Sequence, residues 1–276
     1  APAIRYHNGK FYIFSNINGH GLQVYISDSA KGPWTHHKIN GDIYDLSVLF
    51  DDDGKVYAVH KYGNVTVTEL KPDLSGPVEG SSKVVIPEGN AMGEGHHVYK
   101  INGMYYILSA DYFPMGRMQC ARSKSIWGPY ETCVISERES FGYAAGWSVG
   151  NMGIGRPLPE DGFKFQNNQP NGVTLGCATI HQGGIVQAPD GKWWGVSMQD
   201  FNAVGRTVCL SPITWVDGWP YFGLEKNLGR SPRTWFKPND LVKTPQAPYE
   251  RCDDFSGKNF KPVWQWNHNP NDKMWS

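Results

Sequence analysis

The stretch IRYHNGKFYI, residues 4–13, places two short runs of β-branched and aromatic residues on either side of Asn8-Gly9. Asn-Gly is a strong signal for a tight β-hairpin, because a type I′ turn needs a positive φ at both central residues. Three more stretches have this form around Asp-Gly or Asn-Gly: VLFDDDGKVYA (48–58), VYKINGMYYI (98–107) and GIVQAPDGKWW (184–194). Because helical periodicity is nearly absent, the repeat predicts an all-β fold.

The spacing of the turn glycines predicts the architecture. Gly9, Gly54, Gly103 and Gly191 follow one another at intervals of 45, 49 and 88 residues. A period of 45–49 residues fits four short strands, which is the size of one blade of a β-propeller. The longest interval then holds one blade and an insertion near residues 136–176. A series of β-sandwich units without propeller closure is the alternative.

A second repeated element lies in the outer part of two predicted blades. Gly-Pro-aromatic occurs at residues 32–34 and again at 128–130. Proline is tolerated in edge strands, where no ladder hydrogen bond is lost. Each copy therefore predicts a turn that leads into an edge strand.

Composition excludes several classes of protein. The 26 basic and 26 acidic residues balance, which argues against a general nucleic-acid binder. No apolar run approaches the length of a membrane span. The compartment stays open, with a secreted or periplasmic location favoured over the cytoplasm. The cysteines form no CxxC pair, so we expect buried free thiols and no zinc site at Cys120, Cys133, Cys177, Cys209 and Cys252.

The repeat also aligns candidate functional residues. Counting back nine or ten residues from the turn glycines of the last three repeats gives Asp45, Glu94 and His181. These residues open the predicted innermost strands, so we expect them to ring one end of a central channel. Two facing carboxylates suit glycoside hydrolysis, in which one is protonated and the other ionised. The alternatives are ordinary turn carboxylates and a core histidine.

Several motifs together resemble glycoside hydrolase family 43. They are APAIRY (1–6), DLSVLFDDDGK (45–55), GEGHHVYK (93–100), HQGG (181–184), VGR (204–206) and WVDGWP (215–220). The resemblance covers roughly residues 1–240. It is strongest toward β-xylosidases and α-L-arabinofuranosidases that carry a C-terminal β-sandwich.

This resemblance implies a five-bladed β-propeller. Residues 1–245 would form the propeller and catalytic domain, and residues 246–276 a linker and the start of a C-terminal β-sandwich. The first blade is expected to be incomplete and the N-terminal part missing, since residues 1–3 lead directly into a strand.

The resemblance also implies an inverting mechanism with assigned roles. Glu94 matches the general acid, and Asp45 matches the residue that orients the acid and modulates its pKa. The general base of the family is an Asp in a Tyr-Pro-Asp-Pro-type motif, which this sequence lacks. A second fragment that supplies this segment is therefore a predicted partner. His181 matches the channel histidine of the family, which implies a Ca²⁺ ion as a candidate ligand.

Substrate contacts are predicted on four further residues. By resemblance or position they are Arg206, His96, Trp147 and Gln182. Trp193 and Trp194 are expected either to stack on sugars or to pack between blades. The implied substrate is a plant cell-wall polysaccharide, from which terminal α-L-arabinofuranosyl or β-D-xylosyl units are released. A non-catalytic carbohydrate-binding propeller and an interaction scaffold are the alternatives.

Overall fold

The computed structural model describes residues 2–90, 92–111, 117–136, 181–200, 206–229, 254–257 and 273. These residues form strands and turns, with no α-helix among them. Nothing in this described part is a helix long and apolar enough to cross a membrane. The chain divides into two compact units, Ala1–Trp235 and Phe236–Ser276.

The first unit contains four antiparallel sheets. The first consists of β1 Ala3–His7, β2 Lys10–Ile17, β3 Gly21–Ser27 and β4 Thr35–Ile39. The second consists of β5 Ser47–Phe50, β6 Val56–His60, β7 Val65–Leu70 and β8 Lys83–Ile86. The third consists of β9 Glu94–Ile101, β10 Met104–Asp111, β11 Arg117–Ser123 and β12 Glu131–Val134. The fourth consists of β13 His181–Gln187, β14 Trp193–Asp200, β15 Arg206–Val216, β16 Trp219–Leu224 and β17 Asn227–Leu228.

Each sheet follows chain order from one edge to the other, and consecutive sheets pack face to face. Three apolar clusters fill the spaces between them. They are centred on Phe14 and Val48 between the first two sheets, on Val59 and Ile107 between the next two, and on Leu108 with Phe222 between the last two. This is a propeller-like arrangement of four blades, as the repeat predicted.

The four hairpins that define the repeat use two kinds of turn. Asn8-Gly9 and Asn102-Gly103 have positive φ at both residues, as a type I′ turn requires. At Gly54 and Gly191 only the glycine has positive φ. There the loop is longer, because the Asp51 N–H donates to the Lys55 carbonyl while the Gly54 N–H donates back to the Asp51 carbonyl. The prediction of one turn type for all four hairpins is therefore wrong for two of them.

The Gly-Pro-aromatic turns precede edge strands, as predicted. Residues 32–34 lead into β4 and residues 128–130 lead into β12. Both strands lie at the outer edge of their sheets.

Three further expectations concern the first blade, the insertion and the C-terminal segment. The first blade was expected to be incomplete, but β1–β4 form a full four-stranded sheet. β1 is short: it begins opposite Phe14, and the last three residues of β2 pair only with β3 among the described strands. The insertion near 136–176 and most of residues 246–276 lie outside the described residues.

The inner edge of each blade is held by side chains from its neighbour. The Arg5 Nε donates to the Val48 carbonyl over 2.5 Å. The Val98 N–H donates to Ser47 Oγ over 3.0 Å, and the Ile185 N–H donates to Tyr99 Oη over 2.9 Å. Unpaired strand edges carry unsatisfied backbone groups. These bonds satisfy such groups and connect all four innermost strands.

The two outermost faces of the four-blade array remain apolar and exposed. On the first sheet, Ile4 is 59% and Tyr6 66% exposed. On the fourth sheet, Val196 pairs with Leu210, and Val208 is 80% exposed. Contiguous exposed apolar groups of this kind mark surfaces that pack against something else.

Cys120 and Cys133 are free thiols, as expected. Cys120 is buried, while Cys133 and Cys209 are half-buried. Cys177 and Cys252 lie outside the described residues.

Candidate active site

Asp45 and Glu94 are brought together by reciprocal hydrogen bonds between two blades. Asp45 ends the loop before β5, and Glu94 begins β9. The Tyr44 hydroxyl donates to Glu94 Oε2 over 2.9 Å, and the Gly95 N–H donates to Asp45 Oδ2 over 2.5 Å. Asp45 is buried, and its φ of 53° lies in the left-handed region, where a non-glycine residue is held at some cost.

Gln182 completes the surroundings of Glu94 from a third blade. Its Nε2 donates to Glu94 Oε1 over 3.2 Å. Gly95 makes this approach possible, because a Cβ there would lie 2.7 Å from Gln182 Cγ and the φ of 67° favours glycine. The space left by the missing side chain of Gly95 is thus filled by Gln182 of a neighbouring blade.

His96 is buried on β9, two residues after Glu94. Its Nε2 donates to the Lys61 carbonyl over 2.5 Å, so Nδ1 is the acceptor for the Ser109 hydroxyl at 2.6 Å. Burial lowers the pKa of His96, which keeps the ring neutral. Because both nitrogens are engaged and the ring is buried, the geometry does not support the predicted direct sugar contact.

The same contacts link His96 to the surroundings of Glu94. The Lys61 N–H donates to the Tyr44 carbonyl over 2.9 Å. A continuous path of hydrogen bonds therefore runs from His96 through the backbone of Lys61 to Tyr44 and on to Glu94.

Tyr44 was not predicted from the sequence. Its hydroxyl bond to Glu94, reinforced by partial burial and by the charge of Glu94, raises the pKa of Tyr44 to about 12. Tyr44 is 41% exposed and Tyr62 58% exposed. The one signal in the sequence was an aromatic residue directly before Asp45 in a loop.

Of the remaining predicted residues, two pack inside the protein and three have side chains outside the described part. Trp193 packs edge-on against Trp215 with ring centroids 5.3 Å apart, and Trp194 is buried. Packing within and between blades, the second of the two alternatives, therefore describes them. The side chains of His181 and Arg206, which begin β13 and β15, lie outside the described residues, as does Trp147.

Glu94 is fixed by two hydrogen-bond donors and stays reachable from solvent. Its carboxylate accepts from Tyr44 and Gln182, is half-buried, and opens toward solvent beside an exposed aromatic ring. A carboxyl group that is fixed in this way and open to solvent can reach a polar atom of a bound ligand. No group of three or more His, Cys, Asp or Glu side chains that could hold a metal ion occurs in the described residues. The Ca²⁺ expected beside His181 remains a prediction.

Sequence and structure comparisons agree on one family. The family model described as glycosyl hydrolases family 43 matches residues 1–140. A putative beta-xylosidase of Xylanibacter ruminicola is 30% identical over 291 residues, covering 100% of this chain and 48% of that protein. A non-reducing end alpha-L-arabinofuranosidase of Bacteroides ovatus is 31% identical over 292 residues, covering 100% and 49%.

A solved structure, described as Bacteroides ovatus xyloglucan PUL GH43B, superposes with a TM-score of 0.73 at 27% identity. The match covers 100% of this chain and 51% of that one. The chain spans about half the length of the curated relatives it matches.

Proposed function

The chain belongs to family 43 of the glycosyl hydrolases, and from this premise we propose that it provides the acid half of a glycosidase that acts on hemicellulose. The reaction would release terminal α-L-arabinofuranosyl or β-D-xylosyl units with inversion at the anomeric carbon. The observation that carries the proposal is the Glu94 carboxyl, held by three blades at one end of their inner strands.

In this proposal Glu94 is the general acid. It protonates the glycosidic oxygen as the bond to the anomeric carbon breaks, and the departing sugar leaves as an alcohol. Asp45 orients the acid through the Gly95 N–H and places a second carboxylate close by. Tyr44 and Gln182 each donate to one oxygen of the Glu94 carboxyl, and in the proposal the O–H of the protonated carboxyl points at the glycosidic oxygen.

The general base is placed outside these 276 residues. An inverting enzyme needs a carboxylate roughly 6.5–9.5 Å from the acid, with the attacking water between them. The sequence contains no Tyr-Pro-Asp-Pro-type motif. A segment that supplies this Asp is therefore a required partner in the proposal.

We also propose a fifth blade and a C-terminal β-sandwich. The exposed apolar faces of the first and fourth sheets support the fifth blade, because a blade between them would bury both faces. Closing the ring in this way removes the remaining open faces, as in other propellers.

A substrate series tests the role of Glu94. Protein complemented with the missing base segment is assayed on aryl arabinofuranosides and aryl xylosides, and on the corresponding oligosaccharides. Glu94→Gln should lower kcat on oligosaccharides about 10²–10⁴-fold and on activated aryl glycosides much less, because a good leaving group needs little protonation. Glu79→Gln, which alters an exposed glutamate on the loop before β8, is the matched control.

Equal losses on both kinds of substrate would remove Glu94 from the acid role. The anomer formed first, followed by NMR, tests inversion separately. The absent base motif favours one other function, a non-catalytic carbohydrate-binding propeller. Saturable binding of arabinose or xylose oligosaccharides without turnover in the complemented protein would support that function instead.

A further inference from the structure

A β-bulge sets the direction of the His96 side chain. The register of β9 against β10 shifts by one residue, so that Gly95 and His96 together lie opposite Ser109. Gly95 has a φ of 67°, as the first residue of a G1 bulge requires. In a regular strand residues 94 and 96 would face the same side. Here the bulge buries the His96 ring beside Ser109, while Glu94 stays half-buried at the open end of the strand.

The His96 ring holds the turn between β6 and β7, residues 61–64. Lys61 has a φ of 77°, in the left-handed region that a lysine keeps only where surrounding bonds enforce it. The His96 Nε2 bonds to the Lys61 carbonyl over 2.5 Å. A backbone carbonyl only accepts hydrogen bonds, so Nε2 carries the hydrogen. Burial lowers the pKa of His96, and the ring therefore holds Lys61 in its neutral form.

The same turn is bonded to both sides of the Tyr44–Glu94 pair. The Lys61 N–H donates to the Tyr44 carbonyl over 2.9 Å, and the Gly63 N–H donates to the Gly93 carbonyl over 3.0 Å. The turn thus bridges the loop that carries the phenol and the strand that carries the carboxyl. Because Lys61 binds Tyr44 through its N–H and the histidine through its carbonyl, the place of Tyr44 depends on the histidine.

We propose that His96 is a positioning residue, which keeps the Tyr44 hydroxyl on Glu94 by holding the backbone of Lys61. The ring acts through these residues and not on the sugar, since it is 2% exposed and both of its nitrogens are bonded. Without it, the Glu94 carboxyl would keep Gln182 but lose its bond from Tyr44. The consequence for catalysis rests on the proposed function, whereas the hold on Tyr44 does not.

Titration of Tyr44 in the 276-residue chain tests the hold without any substrate. In the wild type the bond to Glu94 raises the pKa of Tyr44 to about 12. His96→Leu, which has no donor, should let this pKa fall toward the ordinary value near 10, seen as added tyrosinate. His96→Gln, whose amide nitrogen can replace Nε2, should keep the pKa high. Ile39→Val, which loosens the core of the first sheet only, should also keep it.

Nitrogen-15 NMR of labelled histidine gives a second measurement on the wild-type chain. The His96 ring, assigned by its absence from the spectrum of His96→Gln, should be neutral at pH 7 with its hydrogen on Nε2. A hydrogen on Nδ1 would overturn the proposal, because Nε2 could not then donate to Lys61. A folded His96→Leu variant in which Tyr44 titrates as in the wild type would overturn it as well.

Kinetics of the complemented protein test the consequence for catalysis. His96→Leu should lower kcat on oligosaccharides roughly 10–100-fold, because a misplaced catalytic group costs rate. KM should stay within about twofold, since the ring does not touch the sugar. His96→Gln should restore most of the loss. An unchanged kcat with a released Tyr44 would confirm the hold and overturn its part in catalysis, whereas Glu94→Gln in the substrate series decides the acid role by itself.

Discussion

Replacing Glu94 by glutamine should change the titration of Tyr44, which is a test of the site that needs no substrate. The pKa of Tyr44 lies at about 12 chiefly because its hydroxyl donates to Glu94 Oε2, with smaller contributions from burial and from the charge of Glu94. In Glu94→Gln the charge is lost and only a weaker amide acceptor remains. Solvent screens this partly exposed pair, so we expect the pKa of Tyr44 to fall to about 10.5, close to the ordinary value near 10.

The difference is measurable from the ultraviolet absorbance of tyrosinate. At about pH 10.5, a tyrosine with a pKa of 12 is roughly 3% ionised, whereas one with a pKa near 10.5 is about half ionised. Glu94→Gln should therefore show roughly half a tyrosinate more than the wild type. Fourteen tyrosines contribute to the signal, so the contribution of Tyr44 is isolated by comparison with Tyr44→Phe.

Two controls make the result decisive. In the Tyr44→Phe background, Glu94→Gln should add no tyrosinate, because the affected ring is gone. Glu79→Gln should titrate as the wild type does. If Glu94→Gln and the wild type gave the same curve while both remained folded, the Tyr44–Glu94 pair would not exist, and the positioning of the acid would need another explanation.

Three further outcomes follow from the structure. Gly195→Ala should lower the free energy of unfolding by about 1–3 kcal/mol in urea denaturation, because the added methyl overlaps the Phe222 ring; Gly76→Ala, where no atom lies within 4 Å, should change it little. The free energy of unfolding should fall by about 2 kcal/mol from pH 7 to pH 5 through His60 alone, because burial lowers the pKa of His60 to about 4 and the unfolded state binds the proton first. Replacing His60 by glutamine should reduce this pH dependence. Gly95→Ala should lower the free energy of unfolding by about 1–2 kcal/mol, and with it Tm, because residue 95 has a positive φ. An unchanged Tm would mean that the backbone at residue 95 is not held in this conformation.

The blades could be predicted because the turn residues of each hairpin and the spacing between the hairpins indicate the same repeat. Each inner hairpin carries a turn glycine, and the similar intervals of 45 and 49 residues between the first three are typical of repeated units. The same register predicted that Asp45 and Glu94 would meet, since equivalent positions of neighbouring blades lie side by side. The Gly95 N–H bond to Asp45 shows that they do.

Other features depend on packing that no sequence pattern displays. The direction of the His96 ring is set by the Lys61 carbonyl and by Ser109, one from a loop and one from the next strand. Tyr44 contacts Glu94 because the loop before β5 turns at Asp45, where φ is positive. The turn type at Gly54 depends on a hydrogen bond between Asp51 and Lys55, which an Asp-Gly pair does not reveal.

The candidate site spans the boundary between two different sheets, so its geometry depends on how those sheets pack. Tyr44 and Asp45 move with the sheet β5–β8, whereas Glu94 and Gly95 move with the sheet β9–β12. The two sheets are held together by apolar packing around Val59 and Ile107 and by hydrogen bonds such as that from the Val98 N–H to Ser47 Oγ. A small shift between the sheets would separate the bonded pairs although every strand kept its own ladder. Heat or a cavity at that boundary should therefore abolish the arrangement of the acid before the blades themselves melt. An effort to make this protein withstand higher temperatures would gain most from reinforcing that boundary, since the strands can remain intact while the site is lost.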